Sequence, residues 1–313
     1  MLGFVLRRFA ISVPMIVIVS MVMFLLSSIV PGDQAATILG EEATPEAVAK
    51  LREQLGLNLP LYQQYANWAL GALRGDLGNS IYSGQSVVEI LADRLPVTVS
   101  LMVLSTLVIA VVGAGLGLLS AIKGGWLGRF LDALSLVGLA VPSFAVAVLF
   151  VSVFAVGLRI FPATGYAPLE RGFGPWLMAL VLPVAAMSLS GTTLVAKQMR
   201  DSALDILARD SIRVLRANGI SEASILYRHV LKNASIPATT IVGIGAIGAL
   251  TGAVFVENVF VLPGMGSLAT ASTLNHDLPV LLGLSVYFTL VVLCINLVVD
   301  LVYGFLNPKV RVS

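Results

Sequence analysis

The sequence predicts an all-α integral membrane protein with six transmembrane helices and a small extracytoplasmic lobe between the first two. Three observations carry this. Of the 313 residues, 58% are hydrophobic and 12% charged, whereas soluble domains are about 25% charged. Six uncharged runs are each 21 to 26 residues long, and about 20 apolar residues cross a bilayer as a helix. The runs are continuous rather than alternating, which excludes a closed β-barrel. The same composition excludes a disordered chain, a coiled coil and a plain cytosolic enzyme. A net charge of +2 gives no footing for nucleic acid. The lone cysteine, Cys294, excludes a disulfide framework or a cysteine metal cluster, and His229 and His276 are too far apart in sequence for a local ligand set.

The first run, Phe9–Val30, follows Arg7 and Arg8 but exceeds the 7–15 residues of a signal-peptide core, so it reads as a retained helix. Residues 31–96 follow. They hold helical pattern at Pro45–Leu55 and Tyr62–Leu73, interrupted by LGLNLP and RGDLGNS, and read as an ordered lobe. The remaining spans are Val97–Ile122, Ala133–Leu158, Phe173–Ala196, Ile236–Val256 and Leu278–Val299. The chain therefore divides into an N-terminal helix (1–30), the lobe (31–96), a core of five helices (97–303) and a short tail (304–313). Lys and Arg number 13 in segments 1–8, 123–132, 197–235 and 300–313, and 6 in segments 31–96, 159–172 and 257–277. The positive-inside rule makes the first set cytoplasmic, with both termini inside a bacterial plasma membrane and the lobe outside.

No motif supplies chemistry or energy. There is no GxxxxGK[ST], no HExxH and no GxSxG. Ionisable groups near the spans are confined to their ends, at Asp132, Lys197, Glu257 and Asp300, so no proton relay is legible. The chain is expected not to be an enzyme, to bind no cofactor or metal, and to receive any energy for transport from another subunit.

The 39-residue segment 197–235 is the longest cytoplasmic one. Leu204, Ala208, Ile212 and Leu215 recur at helical spacing, with Asp205, Arg209, Arg213 and Arg216 on a neighbouring polar face. Gly219 sits where a left-handed residue closes a helix. Ser221 and Glu222 read as the N-cap and first turn of a second helix, running to about Asn233 before Pro237. Physics alone leaves two readings open, a hairpin lying on the membrane surface or one docking a partner.

The stretch DSIRVLRANGISEASILYRHVLKNASIP resembles the coupling, or EAA, loop of ABC importer permeases in the dipeptide/oligopeptide/nickel family. Arg213, Val214 and Leu215 stand at the triplet positions, a departure from literal EAA, and Gly219 is the loop glycine. PGD (31–33), LGLNLPLYQQY (55–65), RGDLGNSI (74–81), RLPVTVSL (94–101), VPSF (141–144), FPATGY (161–166), VENVFVLPGMGSL (256–268) and YGFLNPKVR (303–311) are similar, in order, to the first permease subunit of peptide importers. The resemblance implies a type I ABC importer permease fold moving dipeptides or oligopeptides, with a nickel or other small-solute permease as the alternative. It implies a second homologous permease subunit, two cytoplasmic ABC ATPase subunits that hold ATP and Mg, and an extracytoplasmic substrate-binding protein. It further implies ATPase coupling through Arg209, Arg213, Val214, Leu215, Arg216, Ala217, Gly219 and Ser221.

Several of these residues have plainer roles open to them. Gly219 also serves as a C-cap, and each basic residue also serves as a positive-inside anchor. Pro142, with Ser143 after it, is expected to kink the third span, a kink that a translocation path could use. Glu257 is expected to hydrogen-bond or pair, with the sister subunit as the favoured partner and a peptide ammonium group in the path as the sharper alternative. Cys294 is expected to be packing.

Overall fold

The computed structural model describes residues 2–29, 34–40 and 44–306; the PGD segment and residues 307–313 of the terminal motif lie outside them. The described chain is helical: α1 (Leu2–Ile29), α2 (Gln34–Leu39), α3 (Pro45–Gln54), α4 (Leu61–Leu73), α5 (Val87–Lys123), α6 (Trp126–Ala140), α7 (Ser143–Phe150), α8 (Phe173–Leu207), α9 (Asp210–Ala217), α10 (Glu222–Ser224), α11 (Lys232–Val259), α12 (Met265–Leu274) and α13 (Leu278–Leu306). Wider π-helical turns continue α7 over Val151–Gly157 and join α10 to α11 over Ile225–Leu231.

Among the described residues, four helices are long and apolar enough to cross a membrane: Val87–Lys123, Phe173–Leu207, Glu222–Val259 and Leu278–Val302. They contain the second, fourth, fifth and sixth expected spans. The first is represented by the shorter apolar stretch Val13–Leu26 within α1, and the third by Ser143–Gly157. The third is not one kinked helix, as the sequence suggested. It is cut at Val141–Pro142, where α6 stops and Pro142, at ψ 144°, caps a new helix. Proline has no N–H to donate and keeps the residue before it out of the helical region.

The chain forms two compact units, Met1–Pro96 with Pro263–Leu293, and Val97–Leu262 with Cys294–Ser313. In the first, the stretch expected to form the lobe is built together with α12 and the start of α13. Thr44 caps α3, its Oγ1 accepting from the Ala47 N–H at 3.3 Å, and Pro45 occupies the first helical position where a missing N–H costs nothing. Gln64 on α4 donates to the Leu57 and Leu59 carbonyls and so holds the LGLNLP turn. The RGDLGNS turn is clasped from far along the chain. Buried Asp277, between α12 and α13, accepts from the Ser80 hydroxyl and from the Ile81 N–H at 3.1 Å. Val87, Leu91, Met265, Leu268, Val280 and Leu284 form the apolar core of this unit.

The second unit is centred on α8, against which α6, α7 and α11 pack. One core cluster includes Leu101, Ala147, Leu180, Ala186, Val256 and Phe260. Another includes Ile109, Val195, Met199, Ala203, Ile212 and Ile225. Close helix approach rests on glycine. A methyl group at Gly117 of α5 would stand 2.3 Å from the Ala196 carbonyl oxygen, and one at Gly113 would stand 2.8 Å from Val195 Cβ. The pair is a GxxxG in an apolar helix, a device for bringing membrane helices together that the sequence itself displays.

Candidate functional site

The segment expected to couple the chain to a partner folds around a break that its sequence does not advertise. α8 ends at Leu207. Arg209 then adopts an extended conformation (φ −69°, ψ 145°) and starts α9. The expected stripe Leu204–Ala208–Ile212–Leu215 is therefore not one face. Leu204 and Ala208 are exposed, Ile212 is buried and Leu215 half-buried. Ile212 and Leu215 pin α9 onto the second unit's core, leaving Arg213, Val214 and Ala217 on its outer surface.

Gly219 does what its position suggested. Its φ is +75°, and the two bonds of a Schellman close are present: Gly219 N–H to the Arg216 carbonyl at 3.0 Å and Ile220 N–H to the Leu215 carbonyl at 3.2 Å. Ile220 and Leu215 both pack on the same core cluster, the apolar contact that accompanies this motif. Ser221 stands at the N-cap of the next helix, but its hydroxyl makes no cap; its carbonyl accepts from Ile225 N–H. Arg216 spans the turn instead, donating to Glu222 through Nε at 2.6 Å and Nη2 at 3.2 Å. The carboxylate, by that hydrogen bond first and by its charge second, holds the Arg216 guanidinium above its ordinary value. Arg213 bonds Asp210 at 3.0 Å on the exposed side. Arg209 is exposed.

The second helix does not stop before Pro237. α10, the π-helical turns and α11 run unbroken from Glu222 to Val259. Side-chain donors serve carbonyls near the proline: Asn233 Nδ2 bonds the His229 oxygen and Ser235 Oγ the Leu231 oxygen. Neither is the Asn233 carbonyl that Pro237 leaves without its helical N–H.

Ser143 and Glu257 are both placed by the far end of that unbroken helix. Ser143 sits against Gly252 of α11, where a methyl group would be 3.0 Å from its Oγ, and Phe144 and Phe255 lie with ring centres 6.0 Å apart. Pro142 is exposed. Glu257 is fully buried and accepts from the Thr98 hydroxyl at 2.7 Å. It thus has a partner within its own chain. Just beyond it, Val261 stands at φ +52° with Leu262 N–H closing on the Glu257 carbonyl at 2.8 Å. A β-branched residue there is a strained outlier. FPATGY is fastened to the same corner, Gly165 N–H donating to the Phe260 carbonyl at 2.9 Å.

Comparison with known proteins places this geometry. Residues 113–312 match the family model of binding-protein-dependent transport system inner membrane components, and residues 1–102 match the N-terminal model of the same membrane components. The chain belongs to this family. It is similar to a probable peptide ABC transporter permease of Sinorhizobium fredii (37% identity over 98% of this chain and 99% of the relative). It is similar to a putative peptide transport system permease of Brucella abortus (36%, 99% and 99%). It is also similar to a glutathione transport system permease of Escherichia coli (34%, 99% and 99%).

The protein is therefore an ABC importer permease, a multi-pass inner-membrane transport component rather than an enzyme. Such a permease works with ATPase and binding-protein partners in general. Asp132 and Lys197, two of the charges at span ends, turn out to share one network. Arg200 of α8 donates to both Asp132 oxygens at 3.2 Å, and Lys197 bonds Asp201 at 3.2 Å and Asp132 at 3.5 Å. Gly128 makes room for it, since a methyl there would be 2.5 Å from Arg200 Nη2. The network ties α6 to the end of α8 that leads into α9.

The Glu257–Thr98 bond gives a direct test of that buried corner. Thr98→Val is expected to cost about 1–3 kcal/mol, because it takes a donor from a fully buried carboxylate. Glu257→Ala adds the cost of a cavity to the loss of the bond. Thermal unfolding of the purified assembly measures both, and the double variant should lose less than the two single losses together. Equal and additive losses would show that the bond contributes nothing.

Proposed function

We propose that this permease moves dipeptides or oligopeptides into the cytoplasm. The observation that carries the reading is the full-length similarity to permeases named for peptide and for glutathione, itself a small peptide. In this reading a second homologous permease completes the pore, two cytoplasmic ABC ATPases hold ATP and Mg, and a substrate-binding protein delivers cargo. The basic-residue asymmetry supports cytoplasmic termini and an extracytoplasmic lobe, built of 31–96, that receives the binding protein.

The coupling surface is Arg213, Val214 and Ala217 on the outer face of α9, with Arg209 at its start. Leu215 is its anchor to the core, and Arg216, Gly219 and Ser221 form the turn that holds it. Nucleotide-driven motion of the ATPases would push α9, and the rod from Glu222 to Val259 would switch access between the two sides of the membrane. Pro142 and Ser143 open the helix beside that rod, where the path would change shape. Buried Glu257 would support that corner and not touch cargo, leaving selection to the binding protein.

The test is reconstitution of the complete importer in proteoliposomes, with binding-protein-stimulated ATPase and uptake of labelled dipeptide, tetrapeptide, glutathione and nickel measured side by side. Peptide uptake that needs both ATP and the binding protein is expected. Uptake of nickel alone would overturn the cargo, and uptake without ATPase partners would overturn the mechanism.

A further inference from the structure

Helix α4, LYQQYANWALGAL, carries no charged residue although it lies in the stretch the sequence assigned to an aqueous lobe. Its side chains fall into three sectors. Tyr65, Trp68 and Ala72 turn toward the rest of the first unit and are half-buried. Tyr62, Ala66, Leu70 and Leu73, at spacings of four, four and three that place them on one helical face, are exposed, with Tyr62 71%, Leu70 56% and Leu73 85% accessible. Gln63 and Asn67, one turn apart, form an exposed polar strip beside them.

The height of α4 along α1 is set by Tyr65. Its hydroxyl donates to the Val17 carbonyl at 3.2 Å and lies 2.9 Å from Ser20 Oγ, while its ring meets Phe24 edge-on at 5.6 Å. At 1.5 Å per residue, Ser20 is about 18 Å along α1 from Arg8 and about 14 Å from Ile29. Against a hydrocarbon core about 30 Å thick, the tyrosine hydroxyl thus reaches close to the middle, while its ring lies at Phe24, about 8 Å along α1 from Ile29 and nearer the boundary. A helix packed on α1 with its axis 8–10 Å away, and reaching down past Phe24 to Ser20 with a tyrosine, lies near the boundary with its exposed apolar face in the outermost hydrocarbon. The neighbouring α1 likewise exposes Ile18, Met21, Val22 and Leu25. Tyrosine and tryptophan are the residues enriched at such a boundary.

We propose that α4 is an interfacial helix embedded in the bilayer. Its Tyr62–Ala66–Leu70–Leu73 face meets lipid acyl chains and its Gln63–Asn67 strip meets the headgroups and water. Under the topology proposed above, this is the outer leaflet. The lobe is then anchored to the membrane by a second element besides α1.

The experiment uses the assembled importer in nanodiscs, with Cys294→Ser removing the native thiol. Single spin labels are attached at Ala66→Cys, Leu70→Cys and Leu73→Cys, and for comparison at Gln63→Cys and Asn67→Cys. Dissolved oxygen, which concentrates in lipid, and a water-soluble nickel chelate are the relaxing probes. Labels at 66, 70 and 73 are expected to show an oxygen-to-chelate accessibility ratio several-fold above that at 63 and 67. Equal chelate access at all five positions would overturn the proposal by making the whole helix aqueous. Exclusion of both probes at 66, 70 and 73 would overturn it by showing that protein, the sister permease or the binding protein, covers this face. The readout needs no transport, so either failure leaves the peptide-import reading intact.

Discussion

Gly219→Val is expected to reduce peptide uptake by the reconstituted importer to background and to abolish binding-protein stimulation of ATPase, with the subunit still inserted at normal level. The cause is confined to the backbone. Nothing lies within 4 Å of a methyl group placed at Gly219, so the added side chain meets no neighbour, but the residue stands at φ +75°. A left-handed conformation costs an L-residue about 1–2 kcal/mol, and a β-branched one is worse placed there. Leaving that conformation breaks the Schellman bonds that hold Ile220 to Leu215, and with them the orientation of α9. Gly219→Asn, which tolerates the left-handed region, should retain much of the uptake. Arg213→Glu should weaken coupling by charge alone, because its bond to Asp210 is exposed and contributes little to folding. Arg216 is a poorer probe, since it closes the turn through Glu222. A cross-link from Ala217→Cys to an ATPase subunit should form in the parent. Normal transport by the valine variant, or no such cross-link, would reduce α9 to a surface anchor.

Gly117→Leu is expected to prevent the folded subunit from accumulating. A Cβ there would sit 2.3 Å from the Ala196 oxygen and 2.7 Å from Met199 Cβ, so α5 and α8 must separate. Overpacking a close interface typically costs about 1–3 kcal/mol when only side chains move, and here backbone is struck. Gly113→Leu, against Val195 and the Thr192 carbonyl, should behave similarly. Gly115→Leu is the internal control: nothing lies within 4 Å of its Cβ, and the position is exposed. Fluorescence-detected size-exclusion profiles of tagged subunits would show a monodisperse peak for Gly115→Leu and its loss for Gly117→Leu. A normal peak for both would mean that the two helices are not held at this distance.

The same contrast between local and distant causes explains which features were legible. Helix positions follow from runs of apolar residues, because removing backbone polar groups from water leaves a helix as the cheapest crossing. The C-terminal close of α9 follows from one glycine. Other local expectations failed for identifiable reasons. The break at Arg209 has neither glycine nor proline to announce it; Ile212 and Leu215 are drawn into the core and turn the chain there. Pro237 suggests a stop, yet the helix runs through it as α11 packs along α8. Pro142 was read as a kink and proved a complete break.

By itself the sequence determined the membrane class, the places of the apolar helices, the charge asymmetry, the turn at Gly219 and the lack of any P-loop. These depend on residue type and short spacing, which are local quantities. Only the tertiary structure decided that Glu257 finds Thr98 159 residues away, that Asp277 clasps the Ser80 loop across 197 residues, and that Tyr65 of a supposed lobe reaches Ser20 of the first helix. Each of these is a polar group whose burial is tolerable only with a partner. The partner is chosen by how helices pack, and nothing in the neighbouring sequence specifies it.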